Sequence, residues 1–295
     1  MTTATCPGET RIVRATPSTA GRRCLAAALS AGKPLICGIL NVTPDSFSDG
    51  GRFDNPRQAL IHAHRLVEEG ADLIDVGGES TRPGSRPPTT REELQRVIPV
   101  VAALSQQVAI PISVDTSRPE VMRAAVAEGA SMINDVRALR RPGALDAAAE
   151  LEVSVCLMHM QHSPDTMQLQ PLYGDVVREV LDFLGERLES AHRAGIHPDN
   201  LLVDPGFGFG KSLAHNLALL ARLADLRTLG APILVGLSRK SMIGQITGRG
   251  VADRLMGSVA AALISVQHGA RVLRVHDVAA TRDALTVLHA VDTAC

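Results

Sequence analysis

The sequence predicts an α/β fold, a single-domain parallel (β/α)₈ (TIM) barrel. Eight short apolar or β-branched runs alternate with longer helical stretches from residue 34 onward. Each run is apolar at consecutive positions, which is typical of strands covered on both faces. Eight strand–helix units is the number that closes this barrel. An open doubly wound sheet is the alternative. It is disfavoured because no GxGxxG follows the first run.

The predicted strands and helices alternate in order along the chain. The strands are predicted at residues 34–40, 72–77, 110–115, 131–136, 153–159, 200–206, 232–238 and 271–276. The helices are predicted at residues 57–70, 90–107, 118–128, 142–150, 174–194, 213–224, 252–268 and 277–291. The fifth helix has the clearest period, because Val177, Val180 and Leu184 recur on one face at three-to-four spacing. Several helical stretches end in glycine, which suits a left-handed C-cap.

Residues 34–295 form the predicted barrel domain, and residues 1–33 form a predicted flexible N-terminal extension. The first 24 residues are rich in Thr and Arg, and Glu9 is their only acidic residue. This composition is also typical of an organellar transit peptide. A loose extension is the favoured interpretation.

Composition and charge exclude several classes of function. The chain has 295 residues, of which 45% are hydrophobic and 21% charged, a balance typical of a globular protein with a sizeable core. The net charge is −1 and there is no Trp, so phosphate neutralisation and base stacking on a nucleic acid are disfavoured. No apolar run has the ~20 residues of a membrane span. Five cysteines without CxxC spacing predict free thiols in a reducing compartment, the cytoplasm.

Polar or charged side chains stand at or just after the carboxyl end of nearly every predicted strand. They include Asn41, Asp75, Asp115, Asn134, His159, Asp204, Lys240, Arg274 and His276. In a barrel these ends meet on one face, where barrel enzymes hold their chemistry. We therefore predict one shared site. Asp75 is the ambiguous member, because capping a helix or bracing a loop would explain it equally well.

The residue types in this set predict the ligand. Buried carboxylates at Asp115 and Asp204 are costly unless N–H donors face them. Together with Asn134 and Lys240, they suit a flat heterocycle whose edge presents several N–H groups and a carbonyl. Arg274 and His276 add the positive character that an anionic phosphate group needs, as does Arg82.

The stretch "GILNVTPDSFSDGG" at residues 38–51 is crowded with side-chain oxygens after an apolar start. Asn41 and the loop that follows it suit a hard cation such as Mg²⁺, which favours oxygen ligands and substrate phosphates. His159 and His162 are a weaker metal candidate, because no third ligand is evident. The glycines of "GFGFGKS" at residues 206–212 match neither a phosphate-binding loop nor a dinucleotide fingerprint. We interpret this segment as a flexible lip, with Phe207 and Phe209 as apolar contacts.

Eight ordered segments over residues 34–291 resemble the signatures of the dihydropteroate synthase family. Besides the stretch at 38–51, they are "DVGGESTRPG", "SVDTSRPEV", "MINDVRAL", "VCLMHMQ", "LLVDPGFGFGK", "LVGLSRKSMIG" and "LRVHDV". The resemblance implies a transferase of folate synthesis. It would join (7,8-dihydropterin-6-yl)methyl diphosphate to 4-aminobenzoate by a dissociative substitution, with Mg²⁺ as cofactor.

The resemblance also implies roles for residues. The implied metal ligand is Asn41, and the implied catalytic residues are Asp115, Lys240, Arg274 and His276. The implied substrate-binding residues are Thr81, Arg82, Pro83, Asp115, Asn134, Met158, Asp204, Phe209, Gly236, Lys240, Ser241, Arg274 and His276. Within that set, Thr81, Arg82 and Pro83 would shape the aminobenzoate pocket with Phe47 and Phe209. Ser241, near a helix start, would offer a favourable dipole to the aminobenzoate carboxylate.

Two alternatives stay open on the sequence. One is an inactive pterin-binding paralogue, and the other is a pterin-dependent methyltransferase-like barrel. A methyltransferase would not need the diphosphate grip of Arg274 and His276, and a degenerate copy would lose parts of the site. The complete set of Asn41, Thr81, Arg82, Lys240, Arg274 and His276 therefore favours the synthase. The family resemblance and the small-residue stretch at 256–270 favour a homodimer. Small-molecule substrates are the expected partners, with no nucleic acid or membrane.

Overall fold

Eight parallel strands pair in chain order and close into a barrel, as the sequence predicts. The structure is a computed structural model that describes residues 25, 28–29, 32–43, 55–80, 86–161 and 171–294. The strands are β1 (Leu35–Asn41), β2 (Leu73–Gly77), β3 (Ile112–Asp115), β4 (Met132–Asp135), β5 (Ser154–Met158), β6 (Leu201–Asp204), β7 (Ile233–Val235) and β8 (Ala270–Val275). The barrel closes where β8 pairs with β1, with Cys37 opposite Arg274.

Nine α-helices lie in the described part of the chain. They are α1 (Asn55–Glu68), α2 (Thr90–Gln107), α3 (Pro119–Ala127), α4 (Ala144–Leu151), α5 (Val176–Arg193), α6 (Leu213–Ala221), α7 (Ser241–Thr247), α8 (Leu255–Gln267) and α9 (Val278–Asp292). Eight correspond to predicted helices. The prediction misses α7, which has 7 residues and contains Gly244, too few positions for a helical period to show. None of the described helices has the length and apolar character that crossing a membrane requires.

Local sequence signals set where several helices begin. Thr89 and Glu92 form a capping box at the start of α2, in which each side chain accepts a hydrogen bond from the other residue's backbone N–H. Asp175 caps α5 by accepting from the backbone N–H groups of Val177 and Arg178. The apolar face predicted for α5 is buried at Val177, Val180 and Leu184. Helix packing of this kind holds the strands, and therefore the barrel mouth, in a fixed arrangement.

The amino-terminal half of the barrel interior is apolar. One buried cluster fills it with Leu35, Cys37, Leu73, Met132, Cys156, Leu202, Leu234 and Val272. Leu25 and Leu29, which precede the first strand, belong to the same cluster. Part of the predicted extension therefore contributes to the core. The division of domains at residue 33 stays a prediction, since residues 1–24 lie outside the described part of the chain.

Candidate active site

Arg274 lies inside the carboxyl half of the barrel, where it forms two ion pairs. Its Nε donates to Asp75 Oδ2 at 2.6 Å, and its Nη2 donates to Asp115 Oδ2 at 2.9 Å. Asn134 Nδ2 donates to the same Asp75 oxygen at 3.1 Å. Side chains from β2, β3, β4 and β8 are therefore joined in one network. The structure brings together four of the residues that the sequence assigns to a shared site, among them Asp75, the ambiguous member.

Asp75 neither caps a helix nor braces a loop, so both of its simpler interpretations are wrong. Its side chain is 1% exposed and points into the barrel. Leu73, Asp75 and Gly77 share one face of β2, and Leu73 belongs to the interior cluster. Side chains alternate between the two faces of a strand, so the inward position of Leu73 predicts that the Asp75 carboxylate also points inward. The Oδ1 atom of Asp75 is buried and has no hydrogen-bond partner among the described residues.

The electrostatics of this network favour a ligand that brings N–H groups or positive charge. Burial raises the pKa of Asp115, and the neighbouring Arg274 opposes that shift. Burial also acts against the charge of Arg274, but Asp75 and Asp115 outweigh it and raise the arginine pKa. Arg274 is thus a permanent cation shared between two carboxylates.

A second group of predicted residues lies on the opposite side of the mouth. These residues come from β6 and from the loop before α7. The Lys240 ammonium group lies 4.0 Å from the centroid of the Phe209 ring. Asp204 ends β6, and its Oδ1 accepts a hydrogen bond from the Gly206 N–H at 2.7 Å. Burial raises the pKa of Asp204 to about 6. Burial and Arg274 lower the pKa of Lys240 to about 8, so both groups are mostly charged near pH 7.

His276 follows β8 directly and contacts Ser238. Its Nδ1 lies 3.0 Å from Ser238 Oγ, and its backbone N–H donates to the same oxygen at 3.2 Å. Burial and then the charge of Arg274 lower the pKa of His276 to about 4. The imidazole is therefore neutral at pH 7, and it meets an incoming anion as a hydrogen-bond donor.

The remaining predicted residues fall in three places. Met158 and Phe209 belong to a small buried cluster with Val136 and Met160, which forms an apolar wall beside the polar groups. Gly236 lies beside Arg274, and a Cβ there would come within 3.9 Å of the arginine Cβ. Ser241 is the first residue of α7, as expected of a helix start, and is exposed. The predicted aminobenzoate residues Phe47, Thr81, Arg82 and Pro83 lie outside the described residues.

The segment at 206–212 is packed differently from the predicted flexible lip. Phe207 is fully buried in the core between strands and helices, so its interpretation as a lip contact is wrong. Lys211 is also buried, and its Nζ lies 2.9 Å from His159 Nδ1. That contact occupies one of the two imidazole nitrogens of His159, and His162, its predicted partner at a metal, lies outside the described residues. The prediction overlooked Lys211, since a lysine in a glycine-rich loop is usually solvated.

Asn41 is the predicted magnesium ligand, and it lies within the described part of the chain. Within the described ranges, no cluster of three or more His, Cys, Asp or Glu side chains could hold a metal. Asn41 ends β1, and its amide oxygen lies beside Gly77, 3.7 Å from where a Cβ on that glycine would stand. Mg²⁺ is commonly bound by one or two protein oxygens, with substrate phosphates and water completing its shell. The single amide oxygen suits that pattern.

Comparison with known proteins agrees with this geometry. The pterin binding enzyme family matches residues 37–276. Dihydropteroate synthase of Escherichia coli strain K12 is 53% identical over 262 residues, which cover 89% of this chain and 93% of that protein. The Haemophilus influenzae dihydropteroate synthase is 52% identical over 257 residues, covering 87% of this chain and 94% of that protein.

Solved structures give the same result. Xanthomonas albilineans dihydropteroate synthase with 4-aminobenzoic acid is 59% identical, covers 89% of this chain and 94% of its own, and superposes with a TM-score of 0.85. The same enzyme in complex with 7,8-dihydropteroate is 57% identical, with coverage of 89% and 95% and a TM-score of 0.83. This chain belongs to the dihydropteroate synthase family of pterin binding enzymes.

Proposed function

We propose that this chain is an active dihydropteroate synthase. This transferase joins (7,8-dihydropterin-6-yl)methyl diphosphate to 4-aminobenzoate and releases 7,8-dihydropteroate and diphosphate. The observation that carries the proposal is the group of polar side chains that the described residues bring to the barrel mouth, centred on the Arg274 ion pairs with Asp75 and Asp115. Relatives with the same fold bind 4-aminobenzoic acid and 7,8-dihydropteroate.

The pterin edge matches the acceptors and donors of this mouth. Asp115 and Asp204 offer carboxylate oxygens to ring and exocyclic N–H groups, while Asn134 and Lys240 offer donors to the ring carbonyl and nitrogens. Because water is largely excluded from this interior, each such hydrogen bond is stronger than at the surface. In the apolar cluster beside these groups, Met158 then accommodates the flat pterin ring, while Phe209 is the member assigned to the aminobenzoate pocket.

The chemistry follows from where charge develops. The carbon–oxygen bond to diphosphate breaks first, and the leaving group takes the electron pair. Arg274 and His276 stabilise the negative charge on it by donating hydrogen bonds. Bound Mg²⁺ would neutralise further diphosphate charge from the Asn41 side. Asp115 balances the positive charge left on the pterin, and the arylamine then forms the new carbon–nitrogen bond and loses a proton to solvent.

The two alternatives lack a specific observation in their favour. A methyltransferase-like barrel has no diphosphate to hold, yet Arg274 and His276 lie together at this mouth. Lys240, Asp204 and Asn134 are also in place, so the pocket shows no sign of degeneration among the described residues.

A direct assay tests the proposed function. Purified protein would be given Mg²⁺, the dihydropterin methyl diphosphate and labelled 4-aminobenzoate, and labelled dihydropteroate would be followed. We expect product only when both substrates are present, with suppression by a sulfonamide. Binding of the pterin diphosphate without product would instead identify an inactive paralogue.

Replacing Asn41 with Ala should weaken the dependence on Mg²⁺. Loss of a protein oxygen from the metal should lower Mg²⁺ affinity in the ternary complex by roughly 10–100-fold, the range seen when metal-site partners are removed. The measurement is the turnover rate as a function of Mg²⁺ concentration. Asn200→Ala, in a short helix far from the mouth, is the control. An unchanged Mg²⁺ midpoint in Asn41→Ala would remove Asn41 from the metal site.

Binding of a pterin ligand should weaken as pH falls through about 6, the pKa of Asp204. The ionised carboxylate accepts pterin N–H groups, and the ionised form is lost below that pKa. The limiting slope is tenfold in affinity per pH unit for one coupled proton. Calorimetry with 7,8-dihydropteroate between pH 5 and 8 measures it. Burial raises the pKa of Asp115 to about 7, so this second carboxylate titrates in the same range. Asp204→Asn should therefore bind more weakly overall and lose the part of the pH dependence centred near pH 6; an unchanged profile in the variant would contradict the assignment.

We also propose that the enzyme is a homodimer that docks through α8. Met256 is 78% exposed, and Leu255 and Ile264 on the same helix are partly exposed, as is Ile246 on the adjacent α7. Such a concentration of exposed apolar side chains is typical of an interaction surface. Met256→Asp should give a monomer in analytical ultracentrifugation, while Ile61→Asp on α1 should leave the dimer intact. A dimeric Met256→Asp variant would exclude this surface.

A cytoplasmic location completes the proposal. Cys37 and Cys156 are buried free thiols in the barrel interior, and burial raises the pKa of both well above the usual value. Thiols in this state are inert and need no disulfide partner, which suits a reducing compartment. Cell fractionation with an antibody to the chain tests the location.

A further inference from the structure

Lys211 is a buried cation that the proposed chemistry does not use. Its side chain is 4% exposed. The ammonium group contacts three acceptors: His159 Nδ1 at 2.9 Å, the Gly206 carbonyl oxygen at 2.9 Å and the Phe209 carbonyl oxygen at 3.1 Å. An ammonium ion has three N–H donors, so all of its hydrogen-bonding capacity is used.

The acceptors around Lys211 are arranged for the charged form. A neutral amine has two donors and a lone pair, and the lone pair would face one of the three acceptors. His159 can accept because it is neutral: burial, Lys211 and Arg140 hold the pKa of its imidazole well below the usual range. Burial lowers the pKa of Lys211 to about 7, while Asp204 opposes that shift. The three hydrogen bonds repay part of the cost of burying this charge.

The loop bound by Lys211 is the one that presents Phe209. Two of its carbonyl groups, at Gly206 and Phe209, accept from Lys211 itself. The Gly208 N–H donates to Asn216 Oδ1 at 2.9 Å, and Tyr173 Oη donates to the Gly210 carbonyl at 2.8 Å. Each glycine of the loop is therefore held by a hydrogen bond. Lys211 makes the contacts on the buried side of the loop.

This loop in turn borders the catalytic lysine. The Phe209 ring lies 4.0 Å from Lys240 Nζ, and a Cβ on Gly208 would come within 3.1 Å of Lys240 Cδ. A displacement of the loop by a few tenths of an ångström would thus move Phe209, Lys240 or both. These contacts connect the buried amine of Lys211 to the pocket, although Lys211 itself does not contact a substrate.

Composition supports a specific requirement for lysine at this position. The whole chain has three lysines, Lys33, Lys211 and Lys240, against 27 arginines. Two of the three lie at this loop. A guanidinium group is planar and carries five donors in a fixed fork, so it cannot satisfy three acceptors that converge on one atom.

We propose that Lys211 is a positioning residue whose buried ammonium ion fixes the loop of residues 205–210, and through Phe209 shapes the pocket for the second substrate. The charged and titratable groups that face it are His159, Asp204 and Lys240. The inference rests on the proposed function for the identity of that second substrate, 4-aminobenzoate.

Steady-state kinetics of Lys211→Met tests the proposal. Methionine keeps the length and apolar stem of lysine and removes the charge and donors. We expect the KM for 4-aminobenzoate to rise about tenfold, because Phe209 is no longer held against the pocket; this corresponds to about 1.4 kcal/mol of binding free energy. The KM for the pterin diphosphate should change less, since Asp115, Asn134 and Asp204 are held on strands and Lys240 is the pterin contact that borders the loop. Lys211→Arg should not restore the wild-type KM, and Lys33→Met is the control.

Equal changes in both KM values, or a fall in kcat alone, would overturn the proposal. So would wild-type kinetics in Lys211→Met. An inactive wild-type protein would instead contradict the proposed synthase activity. The failure of the Lys211 proposal and the failure of the proposed function can therefore be told apart.

A second measurement needs neither turnover nor a folded Lys211 variant. With only three lysines, wild-type protein labelled with ¹⁵N-lysine gives at most three side-chain ammonium signals, which Lys33→Arg and Lys240→Arg assign by subtraction. We expect the Lys211 ammonium to exchange slowly with solvent and to shift when 4-aminobenzoate binds. Rapid exchange, or a signal that ignores this ligand, would show that Lys211 does not hold the loop.

Discussion

Replacing Arg274 with Met is expected to lower kcat/KM by roughly 10²–10³-fold or more, the usual effect of removing a donor aimed at developing negative charge. The same change should destabilise the fold. It leaves Asp75, which is 1% exposed, without its cation, together with the neighbouring Asp115. Breaking a buried ion pair on one side typically costs about 3–5 kcal/mol. Steady-state kinetics and urea denaturation measure the two effects separately.

A double variant separates the catalytic loss from the structural one. Asp75→Asn in the Arg274→Met background removes the uncompensated carboxylate, so it should recover a large part of the lost stability. It should recover none of the activity, since the donor to diphosphate is still missing. Arg123→Met is the matched control, because Arg123 pairs with Glu150 at the exposed surface, where such pairs contribute about 0–1 kcal/mol. Recovery of activity in the double variant would show that Arg274 acts only by neutralising Asp75.

The barrel could be predicted from the sequence because each signal is local. Most strands are short runs buried on both faces, and helices such as α5 show their own period, so no contact between distant residues has to be known. The same holds for Asp115 and Asp204, each the last residue of its strand. Chain order and closure then bring them to one mouth.

Asp75 and Lys211 could not be assigned in this way, because their roles depend on distant partners. The bond from Arg274 to Asp75 joins residues 199 positions apart, and the contact between Lys211 and His159 spans 52. The registers place Arg274 opposite Cys37 and Cys37 opposite Leu73. Asp75 therefore lies two residues further toward the barrel mouth, within reach of the long arginine side chain. The polar character of a glycine-rich loop likewise gave no sign that its lysine is buried and its Phe207 belongs to the core.

Gly206 offers the second large effect, because its backbone approaches the end of β5 very closely. A Cβ at Gly206 would stand 1.9 Å from the carbonyl oxygen of His159, and the residue has a φ of +69°. Gly206→Ala therefore combines left-handed strain with a backbone collision. Gly230 is a matched control, with a φ of +72° and nothing within 4 Å of its Cβ position. Gly230→Ala should cost only the left-handed conformation, about 1–2 kcal/mol.

The difference in unfolding free energy between the two alanine variants measures the cost of the close approach alone. We expect Gly206→Ala to lose at least about 2 kcal/mol more than Gly230→Ala in urea denaturation, within the range of severe backbone effects.

The loop cannot simply retreat from His159. Asp204 Oδ1 holds the Gly206 N–H, and Lys211 binds both the Gly206 carbonyl and the His159 ring. Strain at Gly206 must therefore pass along the loop to Phe209, and the KM for 4-aminobenzoate should rise in Gly206→Ala and stay unchanged in Gly230→Ala. Equal stability losses in the two variants would mean that the loop has room to move, and would weaken the case that it is held rigidly against the pocket.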